Sequence, residues 1–140
     1  MILAYYGDRR DPAYLKSLAA LPGSEFPGTY YKDMVAGLGK IGYRWQEECF
    51  PVDADGFATG LHKLKRSVLE DHPVIVSLFD PPIGHTVVLV GFDEASQELT
   101  FLDPNETAPG LRTIPVEELR VFWREHAIKY RCAVFTSPKP

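Results

Sequence analysis

Cysteine is scarce in this chain of 140 residues: there are two, Cys49 and Cys132. Two are too few for a disulfide framework, and their separation matches no zinc-ligand spacing. Without an export signal the expectation is two reduced thiols, with a single bridge between them as the alternative. No apolar run approaches the roughly 18 to 20 residues that a membrane-crossing helix needs, so no membrane insertion is expected. Basic runs interleaved with aromatics are also missing. With 15 basic against 19 acidic residues the formal net charge is −4, which argues against nucleic acid as a partner. The start, "MILAYYGDRR", puts its arginines after its apolar residues, the reverse of a secretory signal, so a cytoplasmic chain is expected.

What remains is ordinary globular material. Hydrophobic residues make up 45% and charged residues 24%, which excludes disordered and fibrous classes. The length suits one domain over residues 1–140, large enough to bury a core without staples.

Along the chain, "MILAYYGD" reads as the end of an apolar helix stopped by Gly7. In "DPAYLKSLAAL", Asp11 caps a second helix, Pro12 suits its first position, and Leu15, Leu18 and Ala19 share a face. Thr29 is the expected cap of a third helix reaching Ile41, with Met34, Leu38 and Ile41 on one side and Gly42 as its stop. "YRWQEECF" follows as a short strand. "FATGLHKLKRSVLEDH" has helical spacing, its apolar side being Leu61, Leu64, Val68 and Leu69.

The β-branched runs "PVIVSLFD", "HTVVLVGFD" and "ELTFLD" then read as consecutive strands, the last two joined as an antiparallel hairpin. A helix begins near Pro115, burying Leu119, Phe122 and Trp123, and "YRCAVFTS" closes the sheet. Helices first and strands later give an α+β class, with the helices expected on one side of an antiparallel sheet.

Chemistry gathers at "PPIGHTVVLVGFD", where His85 opens a buried strand. Asp103 ends the next strand, and Pro104 stops the ladder there. In an antiparallel hairpin the start of one strand lies beside the end of the next, so the ring and the carboxylate can meet. A carboxylate so placed accepts a proton from one imidazole nitrogen and leaves the other free as a base. A hydrogen bond that merely pins two strand ends uses the same two residues, and the residues alone do not separate these roles. His62, His72 and His126 flank charged helices and read as surface residues. No His/Asp/Glu spacing forms a metal site, and no cofactor is expected. Trp45 and Trp123 read as core or cleft wall, and Cys132 as core packing.

From Leu3 to Trp123 the sequence resembles the C39-like branch of the papain-like cysteine peptidases, which includes the leader-cleaving domains of bacteriocin exporters. The likeness is carried by "LAYYGD", "YLKSLAAL", "PGTYYKDMVAGLGKIGY", "PVIVSLFDPPIGHTVVLVGFD", "LTFLDP" and "VEELRVFWRE", in the family's order. It implies a papain-like fold, a Cys–His–Asp triad with His85 as base and Asp103 orienting it, and a peptide cleft that includes Gly28, Thr29, Gly84 and Pro104. The family's nucleophilic cysteine begins the first helix as Cys-Gly. Since "MILAYYG" matches the back half of that helix, the cysteine falls before Met1. Cys49, among Glu47, Glu48 and Asp53, stands in acidic surroundings that suit a thiolate poorly.

The resemblance therefore implies a cysteine peptidase domain lacking its nucleophile in this chain, acting on a peptide substrate or leader peptide. A non-catalytic peptide-binding module and, third, an acyl-transfer relative are the alternatives. A first helix without its beginning also leaves apolar surface uncovered, so either modest stability or self-association is expected.

Overall fold

The computed structural model describes residues 1–19, 31–80, 83–108, 110–124 and 130–138. Among them the elements run α1 (Ile2–Tyr5), α2 (Pro12–Ala19), α3 (Tyr31–Leu38), β1 (Tyr43–Pro51), α4 (Ala54–Leu69), β2 (Val74–Asp80), β3 (Ile83–Asp93), β4 (Glu98–Leu102), β5 (Leu111–Pro115), α5 (Val116–Phe122) and β6 (Tyr130–Pro138). The strands form one six-stranded sheet in the order β1-β6-β2-β3-β4-β5, each neighbour antiparallel. Because β6 returns to lie between β1 and β2, the chain's last described strand is an interior strand of the sheet, next to the β1 edge.

The class is α+β, as expected, but the helices occupy both faces. On one face, Ile2, Leu3 and Leu38 pack on Trp45, Ile75, Val88 and Val134. On the other, Phe57 and Leu64 of α4 and Leu119 of α5, with Trp123 just beyond it, pack on Val76, Val87, Leu89, Phe101 and Ile114. Strand alternation explains the division, since odd and even positions of β3 point to opposite faces and both sets are apolar. Each fully buried side chain of this size contributes about 1.5–3 kcal/mol relative to exposure.

Several local expectations hold. Gly7 and Gly42 both have positive φ, at 80° and 89°, where a side chain is strained, although α3 ends at Leu38, short of the expected Ile41, and turns lead from there to Gly42. Asp11 accepts from the amide of Ala13 at 2.8 Å. Thr29 and the "PGTY" entry to α3 lie outside the described residues, as does His126.

Four expectations need correction. The fourth helix starts three residues before Phe57, capped by Asp53, which accepts from the Gly56 amide at 2.7 Å. Gly56 masks that start, since glycine weakens a helical pattern, yet Gly56 and Gly60 are both packing requirements. A Cβ on Gly56 would lie 2.2 Å from the Pro51 carbonyl oxygen, and one on Gly60 would lie 2.6 Å from the Trp123 ring. Leu69 does not join the apolar stripe; it is 76% exposed, because Phe57, Gly60, Leu64 and Val68 already define the buried side. Residues 111–115 form β5, a strand the sequence pattern does not announce. Finally, the cysteines are not free thiols. The register of β1 on β6 sets Cys49 directly opposite Cys132, with Cα atoms 4.1 Å apart, and the two are joined as a disulfide. Cys132 is otherwise the core residue expected, 1% exposed.

Candidate active site

The antiparallel pairing of β2 with β3 and of β3 with β4 brings the start of β3 and the end of β4 to one end of the sheet. His85 is the third residue of β3, paired with Leu78 across β2, and Asp103 is the residue just past β4. Nε2 of His85 lies 2.5 Å from Oδ1 of Asp103. The two residues that the sequence nominates as base and orienting acid are thus in hydrogen-bond contact. Among the described residues no hydrogen bond reaches Nδ1 of His85. Alternation gives His85 the side of Val87 and Arg112 the side of Ile114, and both aliphatics belong to the core beneath α4 and α5.

The acid is held on every side. Its side chain is 2% exposed, the ring of His85 21%. Oδ1 also accepts from the backbone amide of Asn105 at 2.9 Å, and the guanidinium of Arg112 stands 3.5 Å from Oδ2. The backbone of Asp103 donates to the Gly110 carbonyl at 2.7 Å, and its carbonyl accepts from Glu106 at 3.2 Å. Gly110 has φ +76°, and a Cβ there would come within 3.3 Å of the Asp103 carbonyl oxygen, so the turn that returns the chain to β5 requires glycine.

Burial by itself pushes the Asp103 carboxyl up, but the Asn105 amide, the His85 ring and Arg112 more than offset it and hold the group below its ordinary value. It therefore remains an anion at neutral pH, able to fix the imidazole by its Nε2 proton. In the tautomer that puts the proton on Nε2, toward Asp103, Nδ1 carries the free lone pair, the arrangement a general base requires.

Of the remaining nominated residues, Gly84 and Pro104 are adjacent in sequence to His85 and Asp103 at the same sheet end, and Pro104 is exposed. A Cβ added at Gly84 would meet nothing within 4 Å, so the backbone there is open. Gly28 and Thr29 lie outside the described residues. Cys49 is committed to the disulfide and offers no thiolate. His62 is exposed on α4, and His72 stands 3.8 Å from Glu70, both away from the pair. Sequence reasoning missed Asn105, Gly110 and Arg112. A signal for the first two was present in "DPN" and in a lone glycine before a strand, whereas Arg112 becomes visible only once β5 is paired with β4.

Comparison with known proteins bears on this geometry. Residues 1–129 match the Peptidase C39 like family. No curated protein matches the chain. Among solved structures, the N-terminal peptidase C39 like domain of the toxin secretion ATP-binding protein from Vibrio parahaemolyticus is similar, with TM-score 0.64 and 19% identity over 97% of this chain and 89% of that one. The peptidase domain of Streptococcus mutans ComA is similar at TM-score 0.55 and 20% identity, over 91% of this chain and 89% of its own. These likenesses establish a shared fold, and the match over most of the sequence establishes that this chain belongs to the Peptidase C39 like family.

Proposed function

We propose that His85 and Asp103 are the base and orienting acid of a Cys–His–Asp cysteine peptidase centre whose nucleophile residues 1–140 do not supply. The observation that carries this is the 2.5 Å contact between Nε2 and a buried, anionic carboxylate, which leaves Nδ1 free. In a complete centre Nδ1 would take the proton of a thiol, the thiolate would attack a peptide carbonyl, and the imidazolium would return the proton to the leaving amine.

The resemblance supports a source for that thiol, at the start of a first helix whose back half "MILAYYG" matches. A helix N-terminus would also favour thiolate.

Without that thiol the chain forms no covalent intermediate. Loss of a triad member costs several orders of magnitude in rate. Gly84, with open space above its backbone, and the exposed Pro104 stand beside the pair where an extended peptide, such as the leader of an exported substrate, would lie. A peptide-binding role is therefore the second reading, favoured by the open backbone at Gly84. The Vibrio parahaemolyticus domain that shares the fold belongs, by its name, to a toxin secretion protein, which suits a leader-peptide substrate.

Two assays separate the readings. A chain extended through the upstream codons, if these supply Cys-Gly, is expected to cleave a Gly-Gly-ended leader peptide, and residues 1–140 alone are not. Titration of the same peptide into residues 1–140 is expected to shift the amide resonances of Gly84, His85 and Asn105. Cleavage by residues 1–140 would overturn the missing-nucleophile account, and unshifted resonances at millimolar peptide would overturn the binding role.

A further inference from the structure

A second cluster of reactive side chains lies on the β1–β6 ladder, separate from the His85–Asp103 pair. Glu47 and Cys49 are two apart on β1 and so project to the same face, and Cys132 faces Cys49 across the ladder. One donor atom from each of the three lies within 4.8 Å of the others. Oε1 of Glu47 is 4.0 Å from the Cys49 sulfur, and among the described residues Glu47 makes no ion pair. Glu47 and Cys49 are exposed, whereas Cys132 is buried.

We infer that, when the disulfide is reduced, Glu47, Cys49 and Cys132 form a binding site for a borderline-soft divalent cation, Zn2+ above all. The ligand types fit: two thiolates and a carboxylate are among the donors that zinc selects. The geometry fits as well. A tetrahedron built on Zn–S of about 2.3 Å and Zn–O of about 2.0 Å has S···S and S···O edges of roughly 3.8 and 3.5 Å. The Glu47–Cys49 spacing is already close to the second. The first requires only that the two sulfurs swing apart about their Cα–Cβ bonds, because nine paired positions hold β1 against β6 whether or not the sulfurs are bonded. The exposed side of the cluster leaves the fourth position to water.

The chemistry balances. A dithiol reductant such as dithiothreitol transfers two electrons and two protons to the bridge and itself becomes a cyclic disulfide. Zn2+ then displaces the two thiol protons. Oxidised, the same cysteines clamp edge strand β1 to the sheet as a disulfide and bind no cation, because a disulfide sulfur is not a thiolate. The ladder thus carries one of two exclusive clamps, chosen by the thiol redox state.

The test uses the chain reduced with dithiothreitol and desalted without oxygen, beside the same chain oxidised. Each is titrated with Zn2+ against a chromophoric chelator, and with Co2+ to read thiolate-to-metal absorption. The reduced chain is expected to take one Zn2+, at least a hundredfold more tightly than the oxidised chain, and to show the Co2+–thiolate band. Glu47→Gln, a surface change, is expected to weaken binding about tenfold, and Cys49→Ser to abolish the band while circular dichroism reports an intact fold. Equal affinity of the two redox forms, or one-to-one binding that survives Cys49→Ser, overturns the site. Because the His85–Asp103 pair takes no part, neither result depends on the peptidase reading.

Discussion

The guanidinium of Arg112 stands 3.5 Å from Oδ2 of Asp103, while Oδ1 is shared by His85 and the Asn105 amide. Arg112 thus engages the carboxylate oxygen that the ring leaves free. Replacing it by Gln removes one of the groups that hold Asp103 in its anionic form. The carboxyl titration of Asp103, followed by 13C NMR, is expected to move up toward its ordinary range in Arg112→Gln but to stay below it, because His85 and Asn105 still lower it. An unmoved titration would show that the guanidinium is a bystander.

Acid sensitivity follows from the same shift. Folding lowers the Asp103 pKa, so the stability this group contributes is complete above its unfolded value, about 3.9, and is lost as pH falls through the lower folded one. Urea midpoints measured from pH 6 down to pH 2 are expected to show a fall below about pH 4 that is smaller in Asp103→Asn. At pH 7, Asp103→Ala is expected to cost about 1–3 kcal/mol, since it strands the Asn105 amide and the His85 ring without an acceptor. An Ala variant as stable as the parent contradicts the buried hydrogen-bonded carboxylate described above.

The disulfide closes a loop with a sequence separation of 83. Cys49→Ser with Cys132→Ser is expected to lower stability by about 2–4 kcal/mol without unfolding the chain at 25 °C. Denaturant melts of the oxidised parent and the double variant measure this, and coincident curves would mean that the bridge restrains little in the unfolded chain.

Helix α4 meets the indole of Trp123 at Gly60, where a Cβ would fall 2.6 Å from the ring. Gly60→Ala is therefore expected to destabilise by about 1–3 kcal/mol despite alanine's better helix propensity, because Trp123 is fully buried and donates to the Cys132 carbonyl. A gain in stability would show that the indole can yield.

Much of this architecture is legible in the sequence because its strongest patterns are local. The β-branched runs around Val76, Val87 and Phe101 and the stop at Asp103-Pro104 define a hairpin, and a hairpin by itself brings His85 to Asp103. What the sequence conceals is created by pairing between distant segments. Cys49 and Cys132 become neighbours only through the β1–β6 register, Arg112 reaches Asp103 only through β4–β5, and metal-type spacing along the chain says nothing of Glu47 beside two sulfurs. The side of the sheet a helix takes is likewise absent from its own periodicity. Leu69 continues a pattern by spacing, yet the buried face of α4 is set by Phe57 and Leu64 against the strands.

The tautomer of His85 at neutral pH tests the central claim most directly, and long-range 1H–15N correlation on the selectively labelled chain reads it. The proton is expected on Nε2, bonded to Asp103, with Nδ1 showing the shift of an unprotonated nitrogen, and this preference is expected to weaken in Asp103→Ala. A proton resident on Nδ1, or a tautomer indifferent to the loss of Asp103, would contradict the assignment of these two residues as the base and its orienting acid.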